Sequence, residues 1–153
     1  MSAWICRPVR PDEFAAWTRL YRGYAAFYEW PTSDAHQHQI WEWIHAQRCI
    51  DCLVAAPADA AGEIQGLAHL REWVRPLRGV RAGYLDDLFV DPAHRGTGAV
   101  EALYDGIRAM AVARGWPIVR WTTADDNYRA RGFYDQVATR TGWVTYDMTI
   151  AVQ

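Results

Sequence analysis

Apolar residues recur every three or four positions in two early stretches of the chain. In the first, PDEFAAWTRLYRGYAAFYEW, they are Phe14, Trp17, Leu20, Tyr21, Tyr24, Phe27 and Tyr28. This spacing predicts a helix with one apolar face. The segment WPTSD interrupts the pattern, with Ser33 or Asp34 as the next N-cap. A second helix over AHQHQIWEWIHAQ then turns Ile40, Trp41 and Ile44 inward.

Shorter apolar runs bounded by turn residues predict the strands. They are WICRPV, DCLVAAP, EIQGLAHLREWV, GYLDDLFV and PIVRWTT, with WVTYDMTIAV as a last strand or hairpin. Two further helices are predicted over AVEALYDGIRAMAVARG, ending at Gly115, and over DNYRARGFYDQVATRTG, ending at Gly142. Because no linker or repeat divides the chain, residues 1–153 are predicted to form one α+β domain. Its twisted mixed sheet is expected to be mostly antiparallel, with about four flanking helices.

The composition is that of a globular protein with 153 residues, 51% of them hydrophobic and 22% charged. The formal net charge of −2 is too close to neutral to favour nucleic acid or an anionic membrane as a partner. Charged residues interrupt every apolar run before it reaches the length of a membrane span. The start, MSAWICRPVR, lacks the apolar core of a signal peptide. We therefore expect a cytoplasmic protein.

Three cysteines allow two readings of the motif C-x-x-C at Cys49 and Cys52. It is half of a zinc or redox site, or it is a pair of small residues leading into a strand. No second cysteine pair accompanies it, which favours the structural reading. The histidines show no metal-ligand spacing either; they include His36, His38, His45 and His69. No metal site is predicted.

The loop DPAHRGTG joins a predicted strand to a predicted helix and contains Gly96 and Gly98. Glycine adopts backbone conformations that other residues resist, and it lets the backbone approach a ligand closely. The first N–H groups of a helix have no partner within the helix and favour an anion, and Arg95 adds positive charge. The loop is either a tight turn or a phosphate cradle. It matches neither the P-loop nor the dinucleotide fingerprint.

The order of strand, glycine loop, helix and WTTADDNYRARGFY resembles the GNAT superfamily of acyl-CoA-dependent N-acetyltransferases, roughly from Gly83 to Gly142. In that family the pattern R/Q-x-x-G-x-G/A binds the pyrophosphate of acetyl-CoA. It falls here on Arg95, Gly98 and Val100, and Val100 departs from the pattern because it replaces Gly or Ala. The resemblance thus implies that the cofactor is bound by Arg95, Gly96, Thr97, Gly98, Ala99 and Val100.

The strand YLDDLFV is similar to the corresponding strand of the diamine (spermidine/spermine) acetyltransferases in this superfamily. By that resemblance Asp86 is the general base, acting through water, and Asp87 anchors the cationic amine. Neighbours on a strand point to opposite faces, so both carboxylates reach one pocket only if a bulge intervenes. The alternative for each is a solvated or salt-bridged acid at a strand end.

The residues that follow, Leu88, Phe89 and Val90, match the family segment whose backbone pairs with the pantetheine arm. The family opens a strand edge for this purpose by splaying two neighbouring parallel strands. A plain core strand is the alternative, and the two readings are compatible because backbone and side chains serve different ends.

Two positions further along the chain match the family's Asn and Tyr, which lie seven residues apart: Asn127 and Tyr134. Both should lie on one helix face, since seven residues make about two turns. The resemblance implies that Asn127 binds the cofactor arm. It also implies that Tyr134 lies near the thioester sulfur, where a phenol can protonate the departing thiolate. Packing beside Phe133 is the alternative for Tyr134.

The end of the first predicted helix matches the region from which the family partly builds its acceptor pocket. Tyr24, Tyr28 and Glu29 are the candidate residues there, because aromatic rings and acids suit a cationic amine. For the aromatic residues, packing of the helix on the sheet is the alternative.

Together these features predict an N-acetyltransferase that transfers an acetyl group from acetyl-CoA to a primary amine of a small molecule. The transfer would proceed by direct attack in a ternary complex, onto a polyamine-like or amino-acid-like acceptor. Two alternatives stay open. One is an enzyme that acetylates a protein N-terminus or lysine, and the other is a non-catalytic acyl-CoA-binding or interaction module. A homodimer is expected by analogy with the superfamily.

Overall fold

The structure is a computed structural model that describes residues 3–59 and 62–151. The chain divides into two units, Met1–Trp121 and Thr122–Gln153. Among the described residues, the first unit holds the sheet and three α-helices, and the second holds one α-helix.

A five-stranded sheet forms the centre of the first unit. Its strands, in sheet order, are β1 (Trp4–Pro8), β2 (Asp51–Pro57), β3 (Gly66–Arg75), β4 (Val80–Val90) and β5 (Val119–Arg120). The first four pair antiparallel and β4 pairs with β5 in parallel. This confirms the predicted mixed, mostly antiparallel sheet of an α+β fold.

The four predicted helices are present. They are α1 (Phe14–Phe27), α2 (Asp34–His45), α3 (Ala99–Arg114) and, in the second unit, α4 (Tyr128–Val137). Ser33 is the N-cap of α2, and its hydroxyl accepts the backbone N–H of His36 at 3.2 Å. Gly115 ends α3 with a left-handed conformation at φ 67°, as its place in the sequence predicted.

Helices cover both faces of the sheet in the first unit. Successive side chains of β2 point to opposite faces of the sheet, as in any β-strand. Val54 packs into the core beneath α1 and α2, whereas a Cβ placed on Gly106 of α3 would lie 3.6 Å from Leu53. The core under α1 and α2 consists of Val9, Trp17, Leu20, Tyr21, Ile40, Ile44, Cys52, Val54, Ala56, Ile64, Leu67 and Phe89.

The C-terminal part of the sequence prediction was wrong in two places. Residues 143–151 form no strand, although WVTYDMTIAV alternates, and Val152 lies outside the described residues. The apolar side chains of this segment are exposed, as Trp143 and Tyr146 illustrate. Alternation alone does not make a strand, because a strand needs a paired edge. In addition, α4 ends at Val137 instead of Gly142, because Ala138 is already extended.

No helix in the described ranges is long and apolar enough to cross a membrane.

Candidate active site

A β-bulge in β4 brings two neighbouring carboxylates into one cavity. Asp87 lies opposite His69 of β3 and Leu85 lies opposite Leu70, so Asp86 is the extra residue on β4. The bulge breaks the alternation that would otherwise direct Asp86 and Asp87 to opposite faces. Both line a cavity of about 320 Å³ between α1, α2 and the sheet. The bulge that both carboxylates needed in order to reach one pocket is therefore present.

Asp86 forms an ion pair with Arg71, which also lines this cavity. The Arg71 Nε–H donates to both oxygens of the Asp86 carboxylate, at 2.9 and 3.2 Å. The Arg71 guanidinium lies 4.5 Å from the centre of the Tyr84 ring. Burial raises the pKa of Asp86 and outweighs the pairing with Arg71, which lowers it. A carboxylate with a raised pKa is better suited to accept a proton.

Asp87 is held by two neighbours in a different environment. Its Oδ2 lies 2.8 Å from Nδ1 of His69, and the Tyr24 hydroxyl interacts with the same carboxylate. Burial raises the pKa of Asp87, but the interactions with His69 and Tyr24 together hold it below its usual value. Asp87 therefore stays ionised, whereas Asp86 accepts a proton more readily. The two acids therefore differ in how readily they hold a proton.

The sequence did not predict His69 as a site residue, because the histidine spacing indicates no metal site and a single histidine carries no other motif. It is 1% exposed, and its Nε2 lies 3.0 Å from the indole nitrogen of Trp17. One signal was present: His69 stands within the apolar run GLAHL of the predicted strand EIQGLAHLREWV. Buried polar side chains need partners, so such a histidine points to a neighbour across the strand.

A second cavity, of about 280 Å³, lies beside the first at the end of α1. It is lined mainly by aromatic rings, including Tyr24 and Tyr28, and Tyr21 lines both cavities. Burial, followed by the nearby charge of Asp87, raises the pKa of Tyr24 and Tyr28, so both phenols stay protonated. Glu29 is exposed at φ 53°, outside the residues that line either cavity. Its role in acceptor binding stays a prediction.

The glycine loop has the backbone conformation that its glycines were expected to allow. Gly96 has φ 75° and Gly98 has φ 98°, where side chains cause strain. The indole of Trp4 donates to the Thr97 carbonyl at 3.0 Å, and the Thr97 hydroxyl donates to the His94 carbonyl at 2.7 Å. These bonds fix the loop ahead of α3.

The first turn of α3 follows directly. Its earliest backbone bond runs from the N–H of Ala102 to the carbonyl of Gly98. The preceding N–H groups have no acceptor within the helix, which is what an anion site requires. Ala99 is buried and Val100 is half-buried in this turn. Arg95 is held against the end of β4, where its Nε–H donates to the Val90 carbonyl at 3.3 Å.

The end of β4 leaves one backbone edge without a strand partner. Leu88, Phe89 and Val90 pair with β3 on one side. On the other side β5 pairs only with Gly83 and Tyr84, and no strand follows among the described residues of the first unit. An extended ligand can pair with such an edge.

Asn127 and Tyr134 both lie in the second unit. Asn127 is the N-cap of α4, and its side-chain oxygen accepts the Ala130 N–H at 3.4 Å. Tyr134 lies on α4 and is half-buried, with its ring centre 6.4 Å from that of Phe133. Their roles in cofactor binding and proton transfer stay predictions.

Comparisons with known proteins agree with this architecture. The model of the acetyltransferase (GNAT) family matches residues 17–138. The D-amino-acid N-acetyltransferase HPA3 of Saccharomyces cerevisiae is 26% identical over 151 residues, covering 93% of this chain and 88% of the relative.

Two solved structures share the fold. A ribosomal-protein-alanine N-acetyltransferase from Brucella melitensis biovar Abortus 2308 superposes with a TM-score of 0.80 at 23% identity, covering 97% of this chain and 99% of the other. A possible acetyltransferase from Clostridium difficile 630 gives a TM-score of 0.83 at 14% identity, covering 99% and 100%.

The chain belongs to the acetyltransferase (GNAT) family, since the family model spans most of its length. It is an acetyl-CoA-dependent N-acetyltransferase. This decides against the non-catalytic module that the sequence had left open.

Proposed function

We propose that this enzyme acetylates the primary amine of a small molecule by direct attack in a ternary complex. The observation that carries the proposal is the pair of carboxylates in one cavity with opposite pKa shifts. Asp87 stays ionised and binds the acceptor's ammonium group. Asp86 takes a proton from that group, directly or through water, which leaves the neutral amine that can act as a nucleophile.

Acetyl-CoA supplies the activated acyl group as a thioester. The residues present fit such a molecule, because the positive-φ glycines and the free N–H groups before Ala102 can receive a pyrophosphate. Arg95 adds positive charge there. The open edge at residues 88–90 offers backbone groups to the pantetheine amides. The proposed binding of the cofactor arm by Asn127 rests on the family resemblance alone.

Tyr134 is proposed to hold the proton that the leaving sulfur needs. A phenol keeps its proton at neutral pH, so it can donate as negative charge develops on the sulfur. This role rests on the family resemblance of its spacing from Asn127.

The acceptor is either amino-acid-like or polyamine-like, and different observations favour each. Arg71 uses its Nε to hold Asp86, and its terminal nitrogens make no hydrogen bond to the protein within the described ranges. A guanidinium in this state can bind a carboxylate beside the amine. The similarity to a D-amino-acid N-acetyltransferase also favours an amino acid. The strand YLDDLFV and the aromatic cavity favour a diamine instead.

A comparison of matched acceptors separates these classes. The enzyme is assayed with D- and L-amino acids, with the corresponding amino-acid amides, with diamines and with a short peptide bearing N-terminal alanine. Loss of one charge-assisted hydrogen bond costs about 1.5–3 kcal/mol. An amino-acid enzyme should thus prefer the acid over its amide about tenfold to hundredfold in kcat/KM, and Arg71→Gln should remove the preference. Turnover of diamines alone excludes the role of Arg71, and turnover of the peptide alone excludes a small-molecule acceptor.

Three further statements stay predictions: residues 1–153 act as one domain, the enzyme is cytoplasmic, and it forms a homodimer. Size-exclusion chromatography with light scattering tests the last of these.

A further inference from the structure

A chain of hydrogen bonds runs from the buried core to the carboxylate of Asp87. The indole N–H of Trp17 lies 3.0 Å from Nε2 of His69, and Nδ1 of His69 lies 2.8 Å from Oδ2 of Asp87. Trp17 is 0% exposed and His69 is 1% exposed, so water does not compete for the bond between them, whereas the Asp87 side chain at the end of the chain is 26% exposed. Trp17 is itself fixed, since its ring stacks on Tyr21 at 5.1 Å with planes 10° apart.

The chemistry of the three groups fixes where the protons lie. An indole nitrogen can only donate, so Nε2 of His69 must accept. The single ring proton therefore lies on Nδ1 and is donated to Asp87. Because Nε2 is occupied by a donor, His69 has no second position from which to pass a proton onward.

We propose that Trp17 and His69 are positioning residues that hold Asp87 ionised and correctly oriented for the acceptor's ammonium group, with His69 as a fixed donor and not a proton relay. This role rests on the function proposed above for Asp87. Nothing in the family resemblance or in the comparisons assigns it. A buried polar pair with a purely structural role would stabilise the fold whether or not it ended at a cavity residue. A positioning role also affects how the acceptor binds, so the two roles predict different kinetic results.

Other ionisable groups surround the pair and could contribute to any pH dependence. They come from α1 and its C-cap residue, α2, β2, β3 and β4, and they are Tyr21, Tyr24, Tyr28, His36, Cys52, Arg71 and Asp86. The three phenols and the Cys52 thiol have raised pKa values, so they stay protonated near neutral pH. Asp86, Arg71 and His36 are unchanged in all the variants described below. Differences between those variants and the wild type therefore report on the Trp17–His69 pair.

The first test is spectroscopic and independent of activity. Histidine labelled with ¹⁵N reports the protonation of each ring nitrogen, and His69→Asn identifies the His69 signals by their loss. The wild type should show a proton on Nδ1 and a bare Nε2. Trp17→Phe, which keeps an aromatic ring but removes the donor, should change the Nε2 signal. A wild type with its proton on Nε2, or on both nitrogens at neutral pH, would overturn the assignment.

The second test is kinetic and uses two substitutions of one residue. His69→Leu removes the donor to Asp87, whereas His69→Asn keeps an amide N–H near the position of Nδ1. Loss of a hydrogen bond to a charged group should raise the KM for the amine about tenfold to hundredfold in His69→Leu. The acid limb of its kcat/KM profile should move to higher pH, because Asp87 then protonates more easily. His69→Asn should restore part of both.

Thermal unfolding and titration with acetyl-CoA accompany each variant, so that misfolding is recognised. A purely structural role for His69 predicts reduced stability in both variants with the KM for the amine and the acid limb unmoved, and that result would overturn the proposal. If the wild type transfers no acetyl group to any amine, the proposed function fails, and this role fails with it. An active wild type with an unresponsive His69→Leu overturns only the role of His69.

Discussion

Gly98 offers the sharpest test of the proposed pyrophosphate cradle. Its φ of 98° lies where an L side chain is strained, and it stands directly before the first residue of α3. A Cβ added there would lie 3.6 Å from the Trp4 ring, which is an ordinary contact. Gly98→Ala therefore causes backbone strain without a clash inside the protein. The new methyl group, or the backbone shift that relieves the strain, lies at the proposed anion site.

The expected magnitudes follow from this geometry. A strained non-glycine residue costs about 1–3 kcal/mol in the free energy of unfolding. The loss of one well-placed hydrogen bond to phosphate costs about 1.5–3 kcal/mol, which weakens acetyl-CoA binding about tenfold to hundredfold. Gly79→Ala is the matched control, because Gly79 has φ 64° with no described atom within 4 Å of its Cβ position and belongs to the β3–β4 turn.

Urea unfolding measures the strain, and calorimetric titration with acetyl-CoA measures the binding. Both variants should lose stability, and only Gly98→Ala should lose affinity for acetyl-CoA. If Gly98→Ala loses stability but binds acetyl-CoA like the wild type, the loop is a strained turn and the cradle must lie elsewhere.

Three further predictions concern catalysis and packing. Asp86→Asn should lower kcat/KM most near neutral pH and less in alkali, where the amine loses its own proton; a deficit that is constant with pH would assign the base to another group. Tyr134→Phe should lower kcat with little change in acetyl-CoA affinity, and an unchanged rate would remove Tyr134 from the mechanism. Gly106→Ala should destabilise the fold by about 1–3 kcal/mol despite the better helix propensity of alanine. The reason is that its Cβ would meet Cys6 Sγ at 2.2 Å; unchanged urea unfolding would show that α3 does not pack so closely on β1.

Local patterns were sufficient to predict most of the fold. The spacing of the apolar residues in α1 predicted its buried face. Trp17, Leu20 and Tyr21 recur at the three- and four-residue intervals of a helix, and all three are buried. The strand predicted over WVTYDMTIAV does not form over residues 143–151. Alternation predicts which face of a strand each residue would occupy, but it does not show whether another strand offers an edge for pairing.

The site was predictable only in part, because its central features depend on register between strands. Asp86 and Asp87 were identified, but alternation placed them on opposite faces, and the bulge appears only once β4 is aligned with β3. The bonds from Trp17 through His69 to Asp87 join three elements, with separations of 52 residues between Trp17 and His69 and 18 residues between His69 and Asp87. No local pattern encodes such contacts.

The most direct test of the central claim is two-substrate initial-rate kinetics with the best acceptor of the panel, varying acetyl-CoA and the amine together. Direct attack in a ternary complex predicts reciprocal plots that intersect, together with an N-acetylated amine identified by mass spectrometry. Parallel plots accompanied by an acetylated enzyme, or the absence of any N-acetylated amine, would contradict the account.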